Sequence, residues 1–134
     1  MKTLKVIVSK AGKGVSAHLP EVDGFVIARE SFEKLKHDLL AGIVFHMEGL
    51  YDEERKPWMV EPLNFEYGFQ DIPAMIESYG GLINQSSLAR ISGINESLMR
   101  QYVSGLKKPG RKVTERIESG LKKYANELRN ISFA

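Results

Sequence analysis

The sequence predicts an α+β protein in two parts, a small antiparallel sheet with one long helix followed by an all-α part. Apolar residues alternate with polar ones at several places before residue 30 and again near residue 65, which is typical of strands that bury one face. From residue 32, and throughout the chain after residue 70, apolar residues recur three and four positions apart, which is the spacing of amphipathic helices. We therefore predict two domains, at 1–70 and 71–134.

A hairpin opens the first domain. Alternation over residues 4–9 and 15–20 predicts two strands, and the glycine-rich segment 10–14 between them permits a tight connection. A third strand is predicted at 25–28, after a turn-rich segment. The first two strands are expected to pair in antiparallel fashion.

A long helix and a returning strand complete this domain. Ser31 is the predicted N-cap of the helix, because its hydroxyl can accept a hydrogen bond from an early helical N–H. The buried stripe of the helix is predicted to contain Phe32, Leu35, Leu39, Ile43, Met47 and Leu50. Alternation at Leu63, Phe65 and Tyr67 predicts a strand that rejoins the sheet and ends near Phe69.

The second domain is predicted to be helical throughout. Asp71 can cap a short helix that ends before Gly80. The last long helix carries one apolar stripe, made of Val113, Ile117, Leu121, Tyr124 and Leu128.

Residues 85–104 between these helices have the pattern of a helix-turn-helix. Ala89 is small where two helices cross, Gly93 can take the left-handed conformation that ends the first helix, and Asn95 can cap the second. Apolar residues fall where the two helices must be held at a fixed angle, at Leu88, Ile94, Met99 and Tyr102. Because these features coincide, we favour DNA binding over an ordinary helical hairpin with a solvated polar face.

The outer face of the second helix supplies groups that read bases in the major groove. Arg100 can bond guanine and Gln101 can bond adenine in bidentate fashion, whereas Glu96 can read cytosine or repel wrong sites. The predicted base-reading residues are Asn95, Glu96, Ser97, Arg100, Gln101 and Ser104. The predicted phosphate-binding residues are Gln85, Ser86, Lys107, Lys108, Arg111 and Lys112.

Charge is divided unevenly along the chain. Residues 1–84 contain 9 Lys and Arg against 13 Asp and Glu, a net charge of −4, and residues 85–134 contain 10 against 4, a net charge of +6. A basic second part fits a nucleic-acid partner. One helix-turn-helix covers only a half-site, so we expect a homodimer or higher homo-oligomer on double-stranded operator DNA, with 114–128 in the seam.

Composition argues against several other classes of function. There is no cysteine, which excludes disulfides and thiol chemistry, and no metal or cofactor site is predicted. The first strand lacks the carboxylates that a two-metal nuclease needs, so we predict no enzymatic activity. No apolar stretch is long enough to span a bilayer, and a cytoplasmic location is expected.

Two resemblances follow from these motifs. The segment 83–109 resembles the helix-turn-helix of phage repressors, in which Asn-Gln opens the first helix as Asn84 and Gln85 do here. Most of the chain resembles the HicB antitoxin family, through its hairpin, long helix and returning strand and most specifically through residues 87–109.

The HicB resemblance implies a function for each part. It implies that the first domain is similar to a truncated RNase H fold and blocks a small ribonuclease toxin, HicA. It also implies that the second domain represses the operon that the two proteins share. A stand-alone transcriptional regulator without a toxin is the alternative, and an RNase H-like nuclease is a third hypothesis.

Overall fold

Four strands and five α-helices make up the chain in a computed structural model that describes residues 1–134. The strands are β1 (Lys2–Ala11), β2 (Gly14–His18), β3 (Val26–Arg29) and β4 (Leu63–Phe69). The helices are α1 (Phe32–Glu48), α2 (Ile72–Tyr79), α3 (Gln85–Ser92), α4 (Glu96–Ser104) and α5 (Arg111–Arg129). The predicted α+β class is confirmed, and none of the helices has the length and apolar character needed to cross a membrane.

The chain divides into two compact units, Met1–Ser78 and Tyr79–Ala134. The first contains the sheet, α1 and nearly all of α2, and the second contains α3, α4 and α5. The sequence places the boundary at 70/71, ahead of α2, whereas the units meet at its C-terminal end.

The sheet is mixed, with the strand order β3-β2-β1-β4. A two-residue turn joins β1 to the antiparallel β2, and its first residue, Gly12, has φ +57°, as a hairpin turn with glycine at that position requires. The prediction of an antiparallel sheet is wrong for β4, which pairs parallel to β1 from Lys2–Leu63 to Val8–Phe69. The reason is that α1 forms a crossover, which carries the chain from β3 at one edge of the sheet to the opposite edge beside β1, so that β4 runs in the direction of β3.

One face of this sheet and one stripe of α1 form the core of the first unit. Leu4, Val6 and Val8 on β1 are completely buried. The predicted stripe of α1 is confirmed at Phe32, Leu35, Leu39, Ile43 and Met47, whereas Leu50 lies beyond the end of the helix and is half-buried. The N-cap is also confirmed, since the backbone N–H of Lys34 donates to Ser31 Oγ over 3.1 Å.

A cluster of charges ties the end of β3 to α1. Arg29 Nε donates to Asp38 Oδ2 over 2.8 Å, His37 Nδ1 lies 2.9 Å from Asp38 Oδ1, and Lys34 Nζ lies 3.4 Å from Asp38 Oδ2. The hydrogen bond from Arg29, followed by that from His37, holds the pKa of the Asp38 carboxyl well below its usual range. The ion pair between Arg29 and Asp38 joins β3 to α1, which are separate elements, and therefore supports the tertiary fold.

The second unit closes around a close contact between α5 and α3. Leu88, Ala89, Met99 and Tyr102 are buried, together with Ile117 of α5. Gly120 is buried in the middle of α5, and a Cβ at this position would overlap the carbonyl oxygen of Ile91. Glycine is therefore required here by the close approach of two backbones.

We predict that Gly120→Ala destabilises the second unit. Alanine improves helix propensity by about 1 kcal/mol, but overpacking costs about 1 to 3 kcal/mol and the obstructing atom is backbone that cannot rotate away. Urea unfolding followed by far-ultraviolet circular dichroism measures the loss. Ser119→Ala, at the exposed neighbouring position, is the matched control and should leave the free energy of unfolding nearly unchanged, whereas equal stability of Gly120→Ala and wild type would refute the close contact.

We also predict that Asp38→Asn destabilises the protein in a pH-dependent way. Because the folded-state pKa of Asp38 lies below the ordinary value of about 3.9, its contribution is fully present above that pH and is lost as the pH falls toward the folded-state pKa. Urea unfolding should therefore show a difference in the free energy of unfolding between wild type and variant at about pH 7, and this difference should narrow near pH 3. Glu30→Gln, which removes an exposed carboxylate outside any ion pair, is the control and should leave the free energy of unfolding close to that of wild type at both pH values. An equal difference for Asp38→Asn at about pH 7 and about pH 3 would contradict the role of the Asp38 charge.

Candidate nucleic-acid interface

A three-residue turn joins α3 to α4 in the second unit. Gly93 has φ +65° in the left-handed region, as the sequence predicts, and the N–H of Ile94 donates to the carbonyl of Ala89 over 3.0 Å. Ile94 then turns inward and is buried. The chain thus leaves α3, reverses through one left-handed residue and enters α4 with an apolar anchor beneath the turn.

Arg116 of α5 forms a hydrogen bond with this turn. Its Nη2 donates to the carbonyl oxygen of Gly93. The carbonyl groups at the end of a helix carry partial negative charge, so a guanidinium is favourable at this position. Sequence reasoning missed this contact, because no local pattern links Arg116 to a glycine 23 positions earlier.

Asn95 begins α4 as its N-cap. Its Oδ1 accepts hydrogen bonds from the N–H groups of Ser97 at 2.8 Å and Leu98 at 3.3 Å. The cap is confirmed, and it uses the Oδ1 atom of Asn95. Because Asn95 is also a predicted base-reading residue, only its NH₂ group remains to contact a ligand.

The two faces of α4 differ sharply in polarity. Met99 and Tyr102 are buried against the other helices and Leu98 is half-buried. The exposed face carries Glu96, Ser97, Arg100 and Ser104, with Gln101 half-buried at its edge. The side chain of Arg100 forms no hydrogen bond or ion pair within the chain, which leaves its planar donor group available to a ligand.

A short hydrogen bond links the first turns of α3 and α4. Ser86 Oγ donates to Glu96 Oε1 over 2.6 Å, so a predicted phosphate-binding residue holds a predicted base-reading one. The bond fixes the carboxylate beside the start of α3, where it opposes the approach of a phosphate to Ser86. Sequence periodicity could not show it, because the two residues lie on different helices.

The remaining predicted phosphate-binding residues lie at two helix N-termini and in a loop. Gln85 is the first residue of α3, after the N-cap Asn84, and is half-buried. Lys107 and Lys108 are exposed in the α4–α5 loop, and Arg111 and Lys112 are exposed in the first turn of α5. Arg111 also pairs with Glu115, Nε to Oε1, at 3.1 Å.

The cations at the start of α5 oppose the helix dipole. The first turn of α5 contains no acidic residue, and its N-cap, Gly110, offers no side-chain acceptor. Positive charges at this end of a helix are unfavourable by about 0.3 to 1 kcal/mol, so Arg111 and Lys112 do not stabilise α5 through the dipole. Cationic side chains beside free N–H groups form a surface that attracts anions.

The second unit as a whole is basic. Residues 79–134 contain 10 Lys and Arg against 4 Asp and Glu, a net charge of +6, and residues 1–78 have a net charge of −4. No group of three or more His, Asp or Glu side chains is positioned to hold a metal ion. Of the helical histidines, His46 Nε2 lies 2.9 Å from the carbonyl oxygen of Asp23 and His37 belongs to the Asp38 cluster.

No protein-family model, curated protein or solved structure matches this chain.

Proposed function

We propose that this protein binds a specific sequence of double-stranded DNA through α3 and α4, with α4 in the major groove. The observation that carries the proposal is the fixed presentation of the polar face of α4, held by the Gly93 turn and its bond to Arg116. Base reading needs side chains held at a defined position and angle. The basic charge of residues 79–134 supports the same conclusion, because phosphate contacts supply most of the affinity for DNA.

Within this proposal the residues divide by role. Arg100 reads guanine, Gln101 reads adenine, and Glu96 accepts from the amino group of cytosine. Gln85, Lys107, Lys108 and Lys112 contact phosphates and set the register of the protein on the duplex.

Two copies are proposed to bind one operator. The apolar stripe of α5 is buried at Ile117, half-buried at Val113 and Leu121, and continues at Tyr124 and Leu128, which are 48% and 47% exposed. A second copy of α5 would cover the exposed half of this stripe. A two-fold pair would also match the two half-sites of a palindromic operator.

The first unit is proposed to bind a small ribonuclease toxin, so that the whole protein acts as a cytoplasmic HicB-type antitoxin that represses its own operon. The HicB resemblance is the source of this proposal. One helix crossing a small sheet is compatible with the truncated RNase H-like domain that the resemblance implies, and the net charge of −4 suits a basic partner. The alternative is a stand-alone regulator, in which case no neighbouring reading frame encodes such a partner.

Replacing Arg100 and Lys108 tests the division between base and phosphate contacts. Arg100→Ala should cost about 1 to 3 kcal/mol on a duplex from the region upstream of the gene and relax the base preference at one position. Lys108→Ala, the matched control, should weaken specific and random duplexes alike and reduce the salt slope by roughly one. Fluorescence anisotropy measures both, and equal loss on specific and random DNA for Arg100→Ala would reject its role in base reading.

Replacing Glu96 tests the proposed cytosine contact. Glu96→Gln should change the preferred base at one position of each half-site from cytosine to adenine, since glutamine both donates and accepts. Binding to duplexes carrying each of the four bases at that position gives the ranking. Ser86→Ala keeps the Glu96 carboxylate but removes the donor that holds it, and should weaken the base preference without changing the ranking of the four bases. An unchanged ranking for Glu96→Gln would refute the cytosine contact.

A further inference from the structure

Helix α1 is apolar on two faces. One face packs on the sheet. Ala41 and Phe45 lie on the side opposite that face, and Leu40 and Val44 lie on the flank between the two; we define these four residues as the outer stripe. Leu40 is 49% exposed and Phe45 is 79% exposed. Residues four apart are neighbours on the surface of a helix, so Leu40 lies next to Val44 and Ala41 lies next to Phe45.

None of the four residues of this outer stripe belongs to the buried core of the first unit. A surface helix normally turns a polar face to solvent, and contiguous apolar groups on such a face mark an interaction site. The core side of α1 is complete without it, because five apolar residues of the helix are already buried there. The stripe is therefore available to another molecule.

An acidic turn follows the stripe along the chain. Glu48 is near the end of α1, and Asp52, Glu53 and Glu54 form a 3-10 helix a few residues later. Two bonds order this turn, from the Tyr51 N–H to Glu54 Oε1 and from the Glu54 N–H to the Tyr51 carbonyl, each 2.9 Å long. None of the four carboxylates forms an ion pair within the chain.

The charges at the other end of α1 argue against a second copy as the occupant. In an antiparallel pair of α1 helices, the acidic turn of one copy would face the first turns of the other. The lysines there are already paired, Lys34 with Asp38 at 3.4 Å and Lys36 with Glu33 at 2.8 Å. In this arrangement the α1 helix of a second copy thus offers no unpaired lysine, and nucleic acid would be repelled by the carboxylates.

We infer that the outer stripe and the acidic turn together form the docking surface for a basic protein, which places apolar side chains on Leu40, Val44 and Phe45 and cations on Asp52 and Glu53. This inference rests on the protein-binding half of the proposed function and assigns a surface to it. Apolar anchors determine the lifetime of such a complex, and the carboxylates speed its formation at low ionic strength.

The test uses the full chain and, as probe, the product of the reading frame that adjoins its gene. Leu40→Ser combined with Phe45→Ser should weaken binding at least tenfold, mainly through faster dissociation in surface plasmon resonance. Asp52→Asn combined with Glu53→Gln should slow association several-fold at low salt and have little effect at high salt. The matched controls are Val26→Ser and Glu66→Gln, which change an exposed apolar and an exposed acidic residue of the sheet.

The outcomes separate this inference from the proposal on which it rests. Equal binding by wild type and both pairs of variants, with unchanged thermal unfolding, would overturn the surface and leave the partner in place. No binding of the probe by any form, or the absence of an adjoining frame for a basic protein, would overturn both while leaving DNA binding unaffected. A wild-type dimer in gel filtration that Leu40→Ser with Phe45→Ser abolishes would make a second copy the occupant and overturn the inference.

Discussion

The left-handed turn at Gly93 is the constraint on which the second unit depends. It ends α3, turns Ile94 into the core and starts α4 at Asn95, and thereby fixes which face of α4 is exposed. Arg116 bonds the carbonyl of Gly93 from α5, and Gly120 lets α5 approach α3 closely enough to support that contact. The direction of the polar face of α4 is thus determined by contacts that are themselves far from that face.

The two units carry net charges of opposite sign. The basic second unit keeps cations where they oppose a helix dipole, and Arg100 is free of internal partners. The acidic first unit leaves a row of carboxylates unpaired next to an apolar stripe. In both units the groups that add least to folding are those proposed to contact other molecules, as is common where function competes with stability.

Local chemistry determined most of what the sequence could predict. The stripe of α1, the caps at Ser31 and Asn95 and the left-handed Gly93 depend on neighbours within one or two turns, and all are confirmed except for Leu50 at the end of the stripe. Pairing of β4 with β1 depends on the path of a crossover helix, and the Ser86–Glu96 bond on the angle between two helices, so neither followed from periodicity. The stripe of α5 was predicted as one surface, but packing buries only Ile117 fully and leaves Tyr124 and Leu128 exposed.

The most direct test of the central claim, that the fixed polar face of α4 reads DNA, is selection of binding sequences from a random duplex library by the full chain. If these side chains read bases, the selected sequences contain an inverted repeat with guanine, adenine and cytosine positions, and these preferences disappear singly with changes at Arg100, Gln101 and Glu96. Failure of any sequence to be enriched, under salt conditions in which random DNA still binds, would contradict it. The basic second unit would then bind nucleic acid by charge alone.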